Sequence, residues 1–387
     1  WKERKIAFIK NLATKNEKVI MVEVADKLHN LLSDFELWRM KGNDGLASVH
    51  ATFEMNRWYY LEMKKLFLLL LVLLLITPSI YAHVIPANDS RITYVGRTLQ
   101  EGNDVSFDWT GVYFRIAFSG ERLAIKVSDT HRNYYNVWID APMSDEPHQI
   151  ITVEGTDTII ELINPAYLKR SRRSVHEVIV QKRTEGEQGK TTIHEIITSS
   201  NGKFMQAEPL RARQMEFIGA SYDCGYGVDE VSHTAPFKPE TENSSRCFPA
   251  ILARYFGADH VVIAHSGMGV SRNYGSKFDG YHMPDRYLQT FDMDSTQATR
   301  WDASKSELAP NITVIYLGGN DFSVSLQPKY EKFRDGYYRL LRSIKDNYGE
   351  DHPILCVSSK AHEYLYVYIR DLVASCGMKN VEYRSEE

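Results

Sequence analysis

The sequence lacks an excess of charge of either sign. Its 387 residues include 46 Lys and Arg against 50 Asp and Glu, a formal net charge of −4 at pH 7. Surfaces that bind polyanions carry clustered positive charge, so nucleic acid is not an expected partner. Cysteine is also scarce: the chain has 4, which allow three disulfide pairings or isolated buried thiols. Outside one leucine run, no repeat or low-complexity tract is evident.

What remains is ordinary globular composition. Apolar residues make up 43% of the chain and charged residues 25%. These fractions exclude a disordered, collagen-like or entirely membrane-embedded chain. At roughly 100 to 200 residues per domain, the length leaves room for two or three domains.

The leucine run begins just after Met63. Lys64 and Lys65 precede the apolar residues Leu66 to Ile76, and the small residue Ala82 follows. A basic start, a short apolar run and a small-residue end are typical of a secretory signal peptide. The run is shorter than the ~20 residues that span a bilayer. Residues 63–82 are therefore predicted to export the protein to a secreted or periplasmic location, with membrane contact only during export.

Residues 1–62 differ in character from the rest. Val19 to Leu32 has helical spacing, and the string from Ala25 to Leu31, ADKLHNL, resembles the C-terminal tail of HD-domain phosphohydrolases of the guanosine polyphosphate hydrolase type. In that family the aspartate of this helix, here Asp26, completes a metal site. A metal site needs three or more converging ligands, and the helices that supply the others are not in this sequence. The segment is therefore expected to be an inactive helical fragment.

Residues 83–200 consist of short β-rich runs separated by turns. Alternating β-branched and aromatic residues in such runs predict a β-sandwich. The predicted strands are 112–118, 123–127, 135–139, 149–153, 158–162, 175–181 and 191–197, and residues 198–212 are predicted to be a linker.

From residue 213 the pattern changes to apolar strand, small-residue turn and helix. The runs 215–220, 261–267 and 312–321 repeat this design, with helices predicted at 245–256 and 328–348. Buried strands that alternate with helices indicate a parallel sheet whose functional residues lie at the carboxyl ends of the strands.

Three of these strand ends carry candidate site residues. Ser221 follows the first strand, Gly267 the second and Asn320 the third. A serine there is either a nucleophile or merely a helix cap, and a Gly-Gly or Asn-Asp pair is common in turns. Taken in this order, the three residues resemble the oxyanion arrangement of the SGNH (GDSL) hydrolases.

The resemblance extends over residues ~90–387 and is to carbohydrate esterase family 2, the two-domain acetylxylan esterases. The matching segments include YVGR (94–97), FDW (107–109), NYYNVWID (133–140), KRTE (182–185), EN (242–243), SG (266–267), RNY (272–274) and GGND (318–321). The resemblance implies a jelly-roll-like β-sandwich at 83–200, followed by a three-layer α/β SGNH hydrolase domain with a parallel sheet at 213–387. It also implies an esterase that removes O-acetyl groups from plant polysaccharides or oligosaccharides without metal or organic cofactor. Ser221 would be the nucleophile, and Gly267 and Asn320 oxyanion donors.

Two departures from the family pattern bear on activity. Ala220 stands where the Gly-Asp-Ser motif has an aspartate, and the sequence ends at Glu387 before the Asp-x-x-His-Pro loop that supplies the family's base. His352 is the nearest substitute, but it directly precedes a predicted strand. The chain is therefore expected to be a C-terminally truncated esterase with little turnover. The alternative is a non-catalytic carbohydrate-binding protein with a degenerate SGNH domain.

Overall fold

A computed structural model describes residues 2–12, 17–42, 44, 52–76, 82–163, 165–275, 280–294, 296, 298–360 and 362–386. The chain divides into two compact units, residues 1–80 and 81–387.

The first unit is helical where it is described. Its helices are α1 (Lys2–Leu12), α2 (Glu17–Lys41) and α3 (Phe53–Ile76). The predicted helix at 19–32 lies inside α2, where Val24 and Leu31 form a small buried cluster with Tyr59 and Met63 of α3. Asp26 is exposed on α2 and pairs with the Lys27 Nζ atom at 2.8 Å. The HD-domain resemblance of this segment stays a prediction.

The apolar run of the predicted signal peptide forms the second half of α3, and residues 77–81 lie outside the described residues. In the described part of the chain, no helix has both the length and the apolar character that a membrane span requires. The signal peptide itself stays a prediction.

The second unit contains all the strands of the described chain. In chain order they are β1 (His83–Pro86), β2 (Thr93–Val95), β3 (Leu99–Glu101), β4 (Asp104–Phe107), β5 (Tyr113–Ser119), β6 (Leu123–Asp129), β7 (Arg132–Ile139), β8 (Gln149–Glu154), β9 (Thr158–Glu161), β10 (His176–Lys182), β11 (Thr191–Thr198), β12 (Lys203–Met205), β13 (Gln214–Gly219), β14 (Asp259–Ala264), β15 (Ile312–Ile315), β16 (Ile354–Ser359) and β17 (Val381–Glu386). Its helices are α4 (Pro165–Arg170), α5 (Ser221–Cys224), α6 (Phe248–Phe256), α7 (Met283–Arg286), α8 (Tyr330–Tyr348) and α9 (Glu363–Ser375).

The first twelve strands form two six-stranded antiparallel sheets. One has the order β3-β4-β11-β6-β9 with β1 beside β11, and the other the order β12-β5-β10-β7-β8 with β2 beside β5. Side chains from both sheets, such as Val127 and Val137, belong to one buried hydrophobic cluster. All seven predicted strands are confirmed. The linker prediction is wrong in part, because β12 pairs with β5 and so extends the second sheet.

The remaining five strands form a parallel sheet in the order β14-β13-β15-β16-β17. Phe217 of β13 packs against Phe248 of α6 on one face of this sheet. On the opposite face, Cys356 of β16 lies beside Tyr337 of α8. The predicted strand-and-helix alternation is therefore confirmed, and helices cover both faces of the parallel sheet.

The antiparallel and parallel parts share a buried polar contact. The guanidinium group of Arg115, on β5, forms an ion pair with the carboxylate of Asp259 at the start of β14. The Tyr113 hydroxyl donates to the same carboxylate at 2.8 Å. Because all these side chains are buried, this contact ties the second antiparallel sheet to the edge of the parallel sheet.

Candidate active site

Ser221 is the first residue of α5, directly after β13. The first N–H groups of a helix have no partner within it, so the Ser221 N–H is available to a ligand. The turn is tight: Cys224 N–H donates to the Ala220 carbonyl oxygen at 3.0 Å, and Gly225 N–H to that of Ser221 at 3.1 Å. The chain thus holds a half-buried serine hydroxyl at the carboxyl edge of the parallel sheet.

The missing aspartate at position 220 has a substitute three residues later. Asp223 is fully buried, and its Oδ2 atom accepts the N–H of Ala220 at 3.1 Å. Only glycine fits at position 219, because a Cβ atom there would lie 1.7 Å from that oxygen. Asp223 therefore braces the turn that carries Ser221 from the helix side. Burial raises the pKa of Asp223 to about 8.

Gly267 lies in the loop after β14, with a φ of 78° that favours glycine. Its neighbours are all anchored: Met268 N–H donates to the His265 carbonyl oxygen at 3.2 Å, and Tyr274 N–H to that of Gly267 at 2.8 Å. Ser266 N–H donates to a carboxylate oxygen of Glu185 at 2.6 Å. Among the described residues, the Gly267 N–H itself has no acceptor.

Asn320 follows β15 and reaches towards the same loop. Its Nδ2 atom donates to the Met268 carbonyl oxygen at 2.8 Å, which leaves the second N–H of the amide for another acceptor. The adjacent Asp321 carboxylate accepts the N–H groups of Val270 and Ser271, each at 2.8 Å, and that of Arg272 at 2.9 Å. These bonds hold the third strand end against the second.

Ser221 and Asn320 both line one open cleft of about 1040 Å³. Gly267 is not among the residues that line this cleft, but its carbonyl oxygen accepts the N–H of Tyr274, which does line it. Tyr222 and Tyr274 are 74% and 71% exposed there. Tyr226 also lines the cleft and stacks on Phe237 with ring centroids 3.8 Å apart. Flat, exposed aromatic faces of this kind suit the apolar faces of sugar rings.

His352 is unsuited to act as the base. It is buried at the amino edge of the sheet, where its Nε2 atom lies 2.8 Å from the Thr313 hydroxyl. Burial lowers the pKa of His352 to about 4. His362, exposed just before α9, is the one histidine among the described residues that line the cleft. Within the described ranges, the Ser221 hydroxyl has no hydrogen-bond partner.

The described residues contain one group of potential metal ligands. Glu185, Cys224 and Glu242 place one ligand atom each within 4.8 Å of one another. Burial, followed by the charge of Glu185, raises the pKa of Glu242 well above its usual range, and burial likewise raises that of the Cys224 thiol. Metal ligands must be deprotonated, so this environment suits a metal ion poorly. All four cysteines are free thiols, three of them buried.

Sequence reasoning missed Asp223, His362 and Glu185 as contributors to this region. Asp223 had a local signal, since an acid at the third helical position is a common N-terminal capping residue. Glu185 stood in the matching segment KRTE (182–185), but its contact with Ser266, 81 positions away in the chain, had no local signal.

The chain is similar in sequence to known carbohydrate esterases. Residues 94–207 match the family described as carbohydrate esterase 2 N-terminal. The chain is 32% identical over 267 residues to the cellulase/esterase CelE of Acetivibrio thermocellus, an alignment that covers 69% of this chain and 31% of that protein. It is 26% identical over 292 residues to the acetylxylan esterase / glucomannan deacetylase of Cellvibrio japonicus, covering 72% and 76%.

The fold has solved counterparts. A family two carbohydrate esterase from Clostridium thermocellum, solved in complex with cellohexaose, matches with a TM-score of 0.68 at 28% identity. The superposition covers 76% of this chain and 89% of that one. By contrast, the chain spans less than a third of the length of the Acetivibrio protein.

Proposed function

The chain belongs to carbohydrate esterase family 2, and from that premise we propose that it is a carboxylic ester hydrolase acting on O-acetyl groups of plant cell-wall polysaccharide. Acetylated xylan and glucomannan are the proposed substrates, by likeness to the Cellvibrio enzyme.

One observation carries the proposal: three N–H donors follow three adjacent parallel strands, one of which is also followed by the Ser221 hydroxyl. They are the N–H groups of Ser221 and Gly267 and the second amide N–H of Asn320, which follow the adjacent strands β13, β14 and β15. None of the three is consumed by an acceptor in the described chain. Backbone and side-chain amides left unpaired around one point are what a developing oxyanion requires.

The proposed reaction uses these groups in order. The Ser221 Oγ atom attacks the carbonyl carbon of the acetyl ester, and the carbonyl oxygen gains negative charge that the N–H groups stabilise. The bond to the sugar oxygen then breaks, and the sugar hydroxyl leaves with a proton. Water hydrolyses the acetyl-serine to acetate, with no metal or cofactor in the sequence of steps. The serine proton needs a base, and in the described ranges no base lies within hydrogen-bond distance of the hydroxyl.

The test is acetate release by the full chain from acetylated xylan and glucomannan. Ser221→Ala is expected to remove at least about 10³-fold of the rate, because the nucleophile is lost. Ser323→Ala is the matched control, since Ser323 lines the same cleft while its hydroxyl only accepts the Gly275 N–H at 2.9 Å. Equal activity of the Ser221→Ala variant and the parent would contradict the assignment.

The second candidate is a carbohydrate-binding protein that does not cleave its ligand. The unpartnered Ser221 hydroxyl and the exposed tyrosines of the cleft favour it. This reading expects affinity for xylan or glucomannan that persists in Ser221→Ala, together with no acetate release by the parent chain. Acetate release by the parent would exclude it.

Two finer points belong to the same proposal. We propose a secreted or periplasmic location, supported by the composition of residues 63–82. We also propose a jelly-roll-like strand path for the two antiparallel sheets, supported by the family resemblance.

A further inference from the structure

Glu185 belongs to the antiparallel part of the molecule yet contacts the candidate active site. It lies three residues after β10, and its side chain is fully buried. Its Oε2 atom accepts the Ser266 N–H at 2.6 Å, and the Cys224 thiol lies 3.6 Å from the same oxygen. One carboxylate thus contacts both the turn that carries the nucleophile and the loop that follows β14.

The contact with Ser266 bears directly on Gly267. The two residues share a peptide unit, because the carbonyl group of Ser266 is bonded to the nitrogen of Gly267. The later part of the loop is fixed by main-chain bonds, by the Asn320 amide and by the Asp321 carboxylate. The Ser266 N–H is where a side chain of the antiparallel part holds the loop, directly before Gly267. A change in the orientation of this segment re-aims the Gly267 N–H, and an oxyanion donor acts only when it lies roughly 2.7 to 3.1 Å from the oxyanion.

Glu185 is itself held in place. Its carbonyl oxygen accepts from the buried Lys182 Nζ atom at 2.9 Å. The same side-chain oxygen lies 3.9 Å from the Nδ1 atom of His265, whose ring is anchored by Asp292 at 2.7 Å. A buried carboxylate with this many fixed neighbours has little freedom to move, so it can serve as a rigid reference point for the loop.

We propose that Glu185 is a positioning residue for ester hydrolysis: it fixes the loop through the Ser266 N–H so that the Gly267 N–H points at the oxyanion. This inference rests on the proposed esterase function. By this proposal the antiparallel part of the chain contributes to catalysis through the contact between Glu185 and the Ser266 N–H.

The test compares three substitutions of Glu185 in the full chain. Glu185→Ala removes the acceptor and is expected to lower kcat about 10²-fold with KM changed less than about threefold. Glu185→Gln keeps an oxygen that can accept the Ser266 N–H and is expected to recover kcat to within about tenfold of the parent. Glu187→Ala, on the same turn but exposed, is the control and is expected to match the parent.

Glu185→Asp separates positioning from charge, and keeps the proposal testable if Glu185→Ala does not fold. The aspartate retains the charge but is one methylene too short to reach Ser266. If Glu185 acts by positioning, Glu185→Gln is therefore expected to have a higher kcat than Glu185→Asp. The reverse order, a parent-like kcat for Glu185→Ala, or a defect confined to KM would overturn the proposal.

A second readout does not depend on turnover. Amide hydrogen exchange at Ser266 is expected to accelerate in Glu185→Ala and Glu185→Asp, but to stay near the parent rate in Glu185→Gln and Glu187→Ala. Unchanged exchange at Ser266 in Glu185→Ala would refute the anchoring itself. If the parent releases no acetate while exchange responds as expected, the esterase function fails and the anchoring contact stands.

Discussion

Asp223 is predicted to make the stability of the protein fall as the pH rises, and Asp223→Asn is predicted to remove that dependence. Burial raises the pKa of this carboxyl to about 8 in the folded chain, against 3.8 for an ordinary aspartate. Between these two pH values the folded state keeps a proton that the unfolded state has lost. Stability therefore decreases with increasing pH across this window, and the loss is complete once the pH exceeds the folded pKa.

The magnitude follows from the width of the window. Each pH unit changes the free energy of unfolding by about 1.4 kcal/mol for one such group. Between pH 4.5 and 7.5 the parent is expected to lose about 3 to 4 kcal/mol relative to Asp223→Asn. The asparagine does not titrate, and its carbonyl oxygen can still accept the Ala220 N–H that Asp223 accepts at 3.1 Å.

The assay is urea denaturation of both proteins at several pH values, with the free energy of unfolding compared pair by pair. The comparison cancels the other titrating groups, and Asp346→Asn, an exposed change on α8, controls for the loss of one acid. A difference between Asp223→Asn and the parent that stays constant within about 1 kcal/mol over this range would refute the reasoning. Asp223 would then brace the turn as an ordinary charged carboxylate.

Three further predictions concern neighbouring contacts. Arg115→Met removes the buried cation nearest the Asp259 carboxylate and, among the described residues, leaves only Arg211, whose Nε atom lies 3.8 Å away. We expect the free energy of unfolding to fall by about 3 kcal/mol, and a loss below about 1 kcal/mol by urea denaturation would contradict this. Gly219→Ala places a Cβ atom 1.7 Å from the Asp223 carboxylate, so the free energy of unfolding should fall. Because Asp223→Ala removes that carboxylate, the double variant should lose less free energy of unfolding than the sum of the two single losses. Asp321→Ala leaves three main-chain N–H groups of the preceding loop unpaired and is expected to cost about 3 kcal/mol and to slow acetate release; unchanged melting and activity would argue against that role.

Much of the fold could be predicted from local pattern. The seven runs rich in β-branched and aromatic residues in 112–197 all became strands, because these side chains favour the extended backbone and are bounded by turns. The linker at 198–212 was predicted wrongly for residues 203–205, since a three-residue strand such as β12 exists only through its pairing with β5.

The candidate site divides in the same way. Ser221, Gly267 and Asn320 could be named because each follows an apolar strand, and parallel strands bring their carboxyl ends to one edge. The brace at Asp223 could not be inferred from the resemblance, because the family pattern directed attention to Ala220. The unsuitability of His352 as a base became definite only when its place at the amino edge, beside Thr313, was known.

The sequence by itself determined the longer strands of the antiparallel part, the alternation of strands and helices in the parallel part, and the residues at three of its strand ends. Those properties depend on the order and period of neighbouring side chains. Tertiary structure alone decided that a carboxylate of the antiparallel part, Glu185, holds the loop next to Gly267, 81 residues along the chain from its partner Ser266. The physical reason is that this contact depends on how the antiparallel part packs against the parallel part. The local pattern of apolar and polar residues does not encode that packing.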